Sequence, residues 1–346
     1  MLRSIGSTRT GQKLARRVVN GIPAASICRF SPSALWSRNS APARDNRWNF
    51  LARDLREADL IYSQYFAGGE QLDELTAHGA RFVSDVFIMP SAHRIDTREA
   101  LRFPEWGEAP VSPELAANYD AISLAMMARS DALFCPSQSV IDDVADYMPA
   151  ARAKCRLVRY GSSLSFPEPN RPFAKRVLFA GSLQLRKGVQ YLAAAAARIA
   201  AIDPEIHFVF AGIATPQVAA QLRRSNVQLL GHLSRQRLRE EFLCADVFAF
   251  PSLAEGSAGV VLEAMAAGVP IIATREAGVD FADGESGIVV PPTDVEALTA
   301  AILRIVGNRP LRAAMAASAR AEFKAYDDAA WAANFVGGLR DVLSHG

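Results

Sequence analysis

Two glutamates, Glu255 and Glu263, stand eight positions apart in the stretch Phe250–Thr274, FPSLAEGSAGVVLEAMAAGVPIIAT. The apolar run ending at Phe250–Pro251 reads as a strand. The loop after it holds Glu255 and Gly256, and a helix begins near Ala258 or Gly259 with Glu263 on its second turn. A helix amino terminus gathers unpaired N–H groups and a partial positive charge, so Ser257, Ala258 and Gly259 form a seat for a phosphate group. Gly256 and Gly259 let backbone approach that group with no Cβ in the way. Glu263 lies roughly 7 Å further along the helix, at about 1.5 Å per residue. Its carboxylate can accept two hydrogen bonds from adjacent hydroxyls, as a ribose diol offers.

Taken singly, either glutamate is an ordinary helix-start or surface acid. The neighbours of Glu263 argue for more, because Val260, Val261, Leu262, Ala264, Met265, Ala266 and Ala267 make its helix apolar, where a charge without a partner is costly. A second pair, Arg186 and Lys187, sits at another helix start, where the dipole disfavours cations. An anion nearby would resolve that conflict. Two other patterns carry no chemistry. Gly6–Lys13 (GSTRTGQK) places its lysine one residue late for a P-loop and lacks the following Ser or Thr, and no G-x-G-x-x-G follows a strand.

These residues need a scaffold, and the sequence supplies an alternation of short apolar runs and helical stretches. Asp59–Ser63, Arg81–Val86 and Asp131–Pro136 read as strands in the first part, with one more around Leu157–Gly161. In the second part the strands are Arg176–Ala180, Ile206–Ala211, Val227–Leu230, Asp246–Pro251, Pro270–Thr274 and Gly287–Val290. Helices at Val189–Ile202, Gln217–Arg224, Arg235–Leu243 and Val260–Ala267 separate them. Strands without polar alternation are buried on both faces and join through right-handed crossovers, so the second part should be a doubly wound parallel sheet with its ligand beyond the strands' carboxyl ends. Three helices, Asp294–Val306, Pro310–Lys324 and Asp327–Leu343, close the chain. Three prolines within Ser165–Lys175 mark a domain boundary.

A length of 346 residues suits two domains, and 50% hydrophobic residues suffice for real cores. The net charge of +2 gives no reason to expect a nucleic-acid partner. Residues 1–44 are the exception: they carry eight Lys or Arg and no acid. This segment reads either as a transit peptide or as structure with a helix over Gln12–Asn20, whose basic face would suit anionic lipid. No run approaches the roughly 20 apolar residues of a membrane span, so the expectation is a cytoplasmic protein, soluble or peripheral on the inner face of the membrane. Cys28, Cys135, Cys155 and Cys244 are scattered, read as buried thiols, and form no metal pattern.

The stretch PSLAEGSAGVVLEAMAAGVPIIAT resembles the signature of the family-4 retaining glycosyltransferases, the glycosyl transferases group 1. Phe179–Leu192 (FAGSLQLRKGVQYL), Val227–Ser234 (VQLLGHLS) and Phe281–Leu298 resemble further landmarks of the same family. The resemblance implies an α/β GT-B fold, in which two Rossmann-like doubly wound domains face a central cleft. Residues 1–165 would form the acceptor-side domain and 166–325 the donor domain, while the terminal helix at 326–346 packs back toward the first domain.

The resemblance also implies metal-independent, retaining transfer of a hexose from a UDP- or GDP-linked sugar, with no cofactor beyond that co-substrate. The acceptor would be a glycan, a lipid-linked molecule or a small molecule. Glu263 would hold the ribose and Glu255 the sugar hydroxyls. Arg186 and Lys187 would hold the diphosphate, with Gly181, Ser182 and Gly231 completing the donor site. Ser182 stands where many relatives carry arginine. Ser84–Gly107 is similar to a segment in which a strand runs into a loop with a Ser-x-His element and then an acidic helix, so His93 is the candidate at the reaction centre, beside Glu255. The family's first strand is longer than Leu2–Ile5, which implies a shortened amino-terminal domain and leaves a second reading, a nucleotide-sugar-binding protein without transferase activity. A glycosidase would need its two carboxylates on opposite sides of the scissile bond, whereas Glu255 and Glu263 read as two contacts to one donor.

Overall fold

The structure is a computed structural model and describes Arg3–Ile5, Ile27–Phe30 and residues 59–63, 76–77, 79–167 and 173–344. The expected helix over Gln12–Asn20 and most of the basic segment lie outside the described residues. In chain order the strands are β1 (Arg3–Ile5), β2 (Ile27–Phe30), β3 (Leu60–Ser63) and β4 (Arg81–Asp85), followed by the helices α1 (Ala92–Arg102) and α2 (Pro113–Arg129). Next come β5 (Ala132–Cys135), α3 (Gln138–Tyr147), β6 (Cys155–Leu157), β7 (Arg176–Ala180), α4 (Val189–Ile202), β8 (His207–Ala211) and α5 (Pro216–Gln221). The rest are β9 (Val227–Gly231), α6 (Arg235–Cys244), β10 (Val247–Phe250), α7 (Gly259–Ala267), β11 (Ile271–Ala273), β12 (Gly287–Val289), α8 (Val295–Val306), α9 (Arg309–Phe323) and α10 (Asp328–Ser344).

The described residues divide into two compact units. The first draws on Met1–Pro90, Ala117–Gly161 and Ala329–Gly346, and the second on Ser91–Ala116 and Ser162–Asp328. Each unit has one parallel sheet, ordered β1-β2-β3-β4-β5-β6 in the first and β12-β11-β10-β7-β8-β9 in the second. The short strand expected before Gly6 is β1, which pairs Arg3 with Cys28 of β2. The strand expected at Leu157–Gly161 lies instead at Cys155–Leu157, beside β5. Its residues are half-buried or exposed rather than a continuous apolar run, so the usual signal was missing.

In the first unit Leu60, Val83, Phe134 and Val158 form a core with Phe335 and Leu339 of α10. The Phe335 ring meets Tyr62 edge-on at 4.9 Å. Gly338 allows that approach, since a Cβ there would stand 2.9 Å from the Phe134 ring. Asp85, buried at the end of β4, accepts hydrogen bonds from Tyr62 (2.6 Å) and Tyr160 (2.8 Å). Of the cysteines expected to be buried, Cys135 is, Cys155 is half-buried and Cys244 is exposed at the end of α6.

The second unit is built on phenylalanines from neighbouring strands. Phe179, Phe208, Phe210, Phe248 and Phe250 are all fully buried, and Phe179 stacks on Phe250 at 5.5 Å. Fully burying each such side chain contributes about 1.5–3 kcal/mol. Ala193, Ala195 and Ala196 face inward on α4 and let the helix pack close to the sheet. The segment Ser91–Ala116, which falls within the expected acceptor-side domain, packs in this unit because Trp106 enters its core and Phe103 lies against it. Hydrogen bonds hold it as well. Glu99 is fully buried and accepts from Tyr191 Oη (2.5 Å) and Gln190 Nε2 (3.0 Å) of α4.

Phe248→Ala should destabilise the protein by about 3–5 kcal/mol, because the hole it leaves cannot collapse between sheet and helices. Ile202→Ala, at a side chain 63% exposed, should stay within about 0.5 kcal/mol of the parent. Chemical denaturation of both variants checks the pair.

Candidate functional site

The second sheet runs from β7 outward through β8 to β9, and the chain then returns to the other side of β7 with β10. The reversal places a switch point between β7 and β10, where the loops leaving their carboxyl ends diverge and leave a crevice for ligands. Those two loops carry Gly181–Lys187 and Pro251–Ala258, the segments that hold most of the predicted site residues.

The loops interlock closely. A Cβ on Gly188 would lie 2.0 Å from the Pro251 carbonyl oxygen, and one on Gly212 would lie 1.7 Å from the Gly181 carbonyl oxygen. Gly188 also has φ of 73°, which favours glycine. Leu253 N–H donates to Arg186 O (2.8 Å), and Ser252 Oγ lies 3.3 Å from the same oxygen. On the far side Glu255 N–H donates to Glu276 O and Ala258 N–H to Ala277 O, both at 2.9 Å.

The Glu255 carboxylate is the hub of this crossing. Its Oε1 accepts from Lys187 Nζ (2.7 Å), Ser252 Oγ (3.0 Å) and Arg186 Nη1 (3.4 Å). Lys187 is further held over the Phe250 ring at 5.4 Å. Arg186 also donates to Ala254 O and pairs through Nε with Asp96 (3.3 Å). The expected partners Glu255, Arg186 and Lys187 therefore come together, with the cations held on carboxylates.

Helices α3, α5, α6, α8 and α9 are each capped by a side chain, from Ser137, Thr215, Ser234, Asp294 and Asn308. Helices α4 and α7, which begin at the switch point, have no side-chain cap, and neither has α1. In α7 the Ala258 N–H is already engaged by Ala277 O, so Ser257 and Gly259 are the amides of the expected phosphate seat that no backbone carbonyl occupies among the described residues. Gly256 is buried, Ser257 half-buried and Gly259 exposed. Gly181 and Gly231 adopt φ of 139° and 66° at the ends of β7 and β9. Ser182 is exposed and hydrogen-bonds Gln184 (3.1 Å).

Glu263 is half-buried on α7 and makes no hydrogen bond or ion pair among the described residues. Burial pushes its carboxyl above the ordinary glutamate value, while Arg235 and Arg239 of α6 pull the other way. His93 is buried in the first turn of α1 rather than in a loop, and it belongs to the second unit. Three partly buried acids, two of them beside Arg186, were not singled out from the sequence. Burial raises the Asp96 carboxyl, against Arg186 and His93. It also raises that of Glu108, whose Oε1 accepts the Leu185 N–H at 2.8 Å. Glu276 is raised by burial too, and its Oε2 has no hydrogen-bond partner. Asp96 was detectable in principle, standing three residues after His93 and so on the same helix face. Glu108 and Glu276 have no periodicity to mark them. No group of three or more metal-ligating side chains occurs among the described residues, and none of the described helices is long and apolar enough to cross a membrane.

A parallel α/β unit with two uncapped helix starts, two cations and several carboxylates at its switch point has the form of a nucleotide-binding domain. Residues 174–308 match the family described as glycosyl transferases group 1. Glycogen synthase from Mycobacterium tuberculosis is 29% identical over 252 residues, covering 68% of this chain and 59% of that protein. The chain thus spans less than two thirds of that relative's length. Among solved structures, sucrose-phosphate synthase from Thermosynechococcus elongatus superposes with a TM-score of 0.68 at 18% identity, over 100% of this chain and 96% of the other. HepE from Anabaena, crystallised with UDP and glucose, gives 0.63 at 15% identity, over 99% and 98%. The fold is that of the GT-B glycosyltransferases, with two parallel-sheet domains.

The raised Glu263 carboxyl has a consequence for stability. The folded protein holds this proton more tightly than the unfolded chain, so stability is lost as pH rises through the folded value and the penalty is complete above it. Glu263→Gln should therefore raise the thermal midpoint at pH 7 by about 1–3 °C, and the gain should vanish as pH falls toward the unfolded glutamate value. Thermal unfolding across pH 4–8, on the order of one pH unit per step, measures it.

Proposed function

We propose that this chain is a glycosyltransferase that moves a hexose, with retention of configuration and without a metal, from a UDP- or GDP-linked sugar to a glycan, lipid-linked or small-molecule acceptor. The observation that carries this reading is Glu263, a half-buried carboxylate without a partner among the described residues, on a helix whose uncapped start lies beside Lys187 and Glu255. An unsatisfied carboxylate of this kind is costly unless a ligand supplies donors, and a ribose diol does so.

In this reading the Ser257 and Gly259 amides receive the diphosphate, with Gly256 allowing close approach and Ala258 exchanging its bond to Ala277 O. Gly181, Ser182 and Gly231 line the rest of the donor. Sugar transfer builds positive charge at the anomeric carbon and negative charge on the departing diphosphate. Lys187, Arg186 and the helix start oppose that negative charge where it develops, which is the most effective use of fixed charges. Glu255, oriented by Lys187 and Ser252, faces the sugar hydroxyls, and His93 serves the reaction centre. The UDP in the HepE structure and the group 1 match support a nucleotide sugar as the donor class.

Incubation with a panel of UDP- and GDP-sugars, read by thermal shift and by release of free nucleoside diphosphate, should give stabilisation and turnover. Glu263→Ala should raise the donor KM about tenfold or more, the value of a lost charged hydrogen bond. Lys187→Ala should lower kcat by about a hundredfold with a smaller effect on KM. Stabilisation without turnover, even with acceptor mixtures, would reduce the protein to a nucleotide-sugar binder. Unchanged kinetics in both variants would mean that the site lies elsewhere.

A further inference from the structure

Arginine grips phosphate best through two parallel N–H donors on one edge of the guanidinium. Arg186 has little of that capacity left. Its Nε pairs with Asp96 at 3.3 Å, and its Nη1 donates to Ala254 O and to Glu255. Lys187 is committed to Glu255 at 2.7 Å. Glu108 adds a third carboxylate that interacts electrostatically with both Asp96 and Arg186. Three carboxylates against two cations leave a formal charge of −1 on the cluster, before any effect of His93, which also acts on Asp96. A diphosphate entering here meets a site that is already negative, and Arg186 can offer it a parallel pair of donors on one edge only after a carboxylate lets go.

The three acids are not equally free to leave. Glu255 is held by three side-chain donors and is 13% exposed. Glu108 is tied to the Leu185 N–H. Among the described residues Asp96 makes its ion pair with Arg186 alone, and its side chain is the more solvated one at 38%. We propose that Asp96 is the carboxylate that Arg186 exchanges for the donor's diphosphate, so that Asp96 sets a threshold on donor affinity and thereby tunes donor release. The inference rests on Arg186 as a diphosphate contact. It assigns to α1 a role in donor binding that neither its apolar packing nor the Glu255 hub requires.

UDP and GDP, which cannot be turned over, are the probes, and isothermal titration of the full chain is the measurement. Asp96→Asn should bind one or both about three- to tenfold tighter than the parent, the range for a partly exposed ion pair. Asp96→Ser, measured alongside it with thermal unfolding of both, guards against a folding defect in either variant. Arg186→Ala should bind at least about tenfold weaker, and adding Asp96→Asn to it should change nothing further. Weaker or unchanged binding in both Asp96 variants, with binding still lost in Arg186→Ala, would overturn the exchange and leave the donor site standing. A gain that persists without Arg186 would also overturn it, since Asp96 would then act only as a general negative field. Failure of the parent to bind either nucleotide would overturn the donor-site reading and this inference with it.

Discussion

Glu255 accepts hydrogen bonds from Lys187, Ser252 and Arg186, and through these bonds two loops from adjacent strands are clasped at the point where the sheet reverses its order. Most other features of the site depend on this clasp. It sets the distance between the β7 and β10 loops, which glycine at 188 makes possible, since any side chain would collide with the Pro251 carbonyl. It holds two cations near the open start of α7 although that position disfavours them. It also turns the Arg186 carbonyl toward Ser252 and Leu253, so the backbone of one loop closes the other.

Beneath the clasp lies an aromatic layer. Phe179, Phe248 and Phe250 stack within the sheet, and Lys187 rests over the last ring. A buried, close-packed floor fixes the loop roots, so the charged groups above it are preorganised and need little rearrangement to meet a ligand's charge. Segment 91–116 adds the acidic side of the arrangement. Trp106 and the bonds from Tyr191 and Gln190 to Glu99 anchor it, and this anchoring carries Asp96 and Glu108 up to the cations. The two cations expected to hold a diphosphate, Arg186 and Lys187, thus stand in a cluster with more carboxylates than cations. The difference matters because anion binding depends on net charge and desolvation rather than on the presence of basic side chains.

Much of the second unit was legible in the sequence. β7 and α4 fall on the expected residues, and β8 to β12 fall within about two residues of expectation, because a strand buried on both faces is a continuous apolar run with sharp edges. The first unit was harder to read. β2 (ICRF) lies in a basic segment without a clear run, and β6 is a half-exposed edge strand, so neither carried the usual signal. That Asp96 and Glu108 would meet the cations was not legible for a different reason: they do so through contacts spanning some 70 to 90 positions of the chain, and a spacing such as that of Asp96 to His93 marks a shared helix face but not a partner so far away in sequence.

By itself the sequence determined the parallel α/β class, the place of the Glu255–Glu263 segment at a strand-to-helix turn, and the apolar setting that makes Glu263 conspicuous. These are local properties, set by periodicity, glycine placement and the cost of a charge among apolar neighbours. Only the tertiary structure decided which sheet edge reverses, that Ser91–Ala116 packs in the second unit, and that Arg186 and Lys187 are shared among carboxylates. Strand order and ion pairing join residues far apart in the chain, and their energies depend on distance and burial, which exist only once the chain has folded.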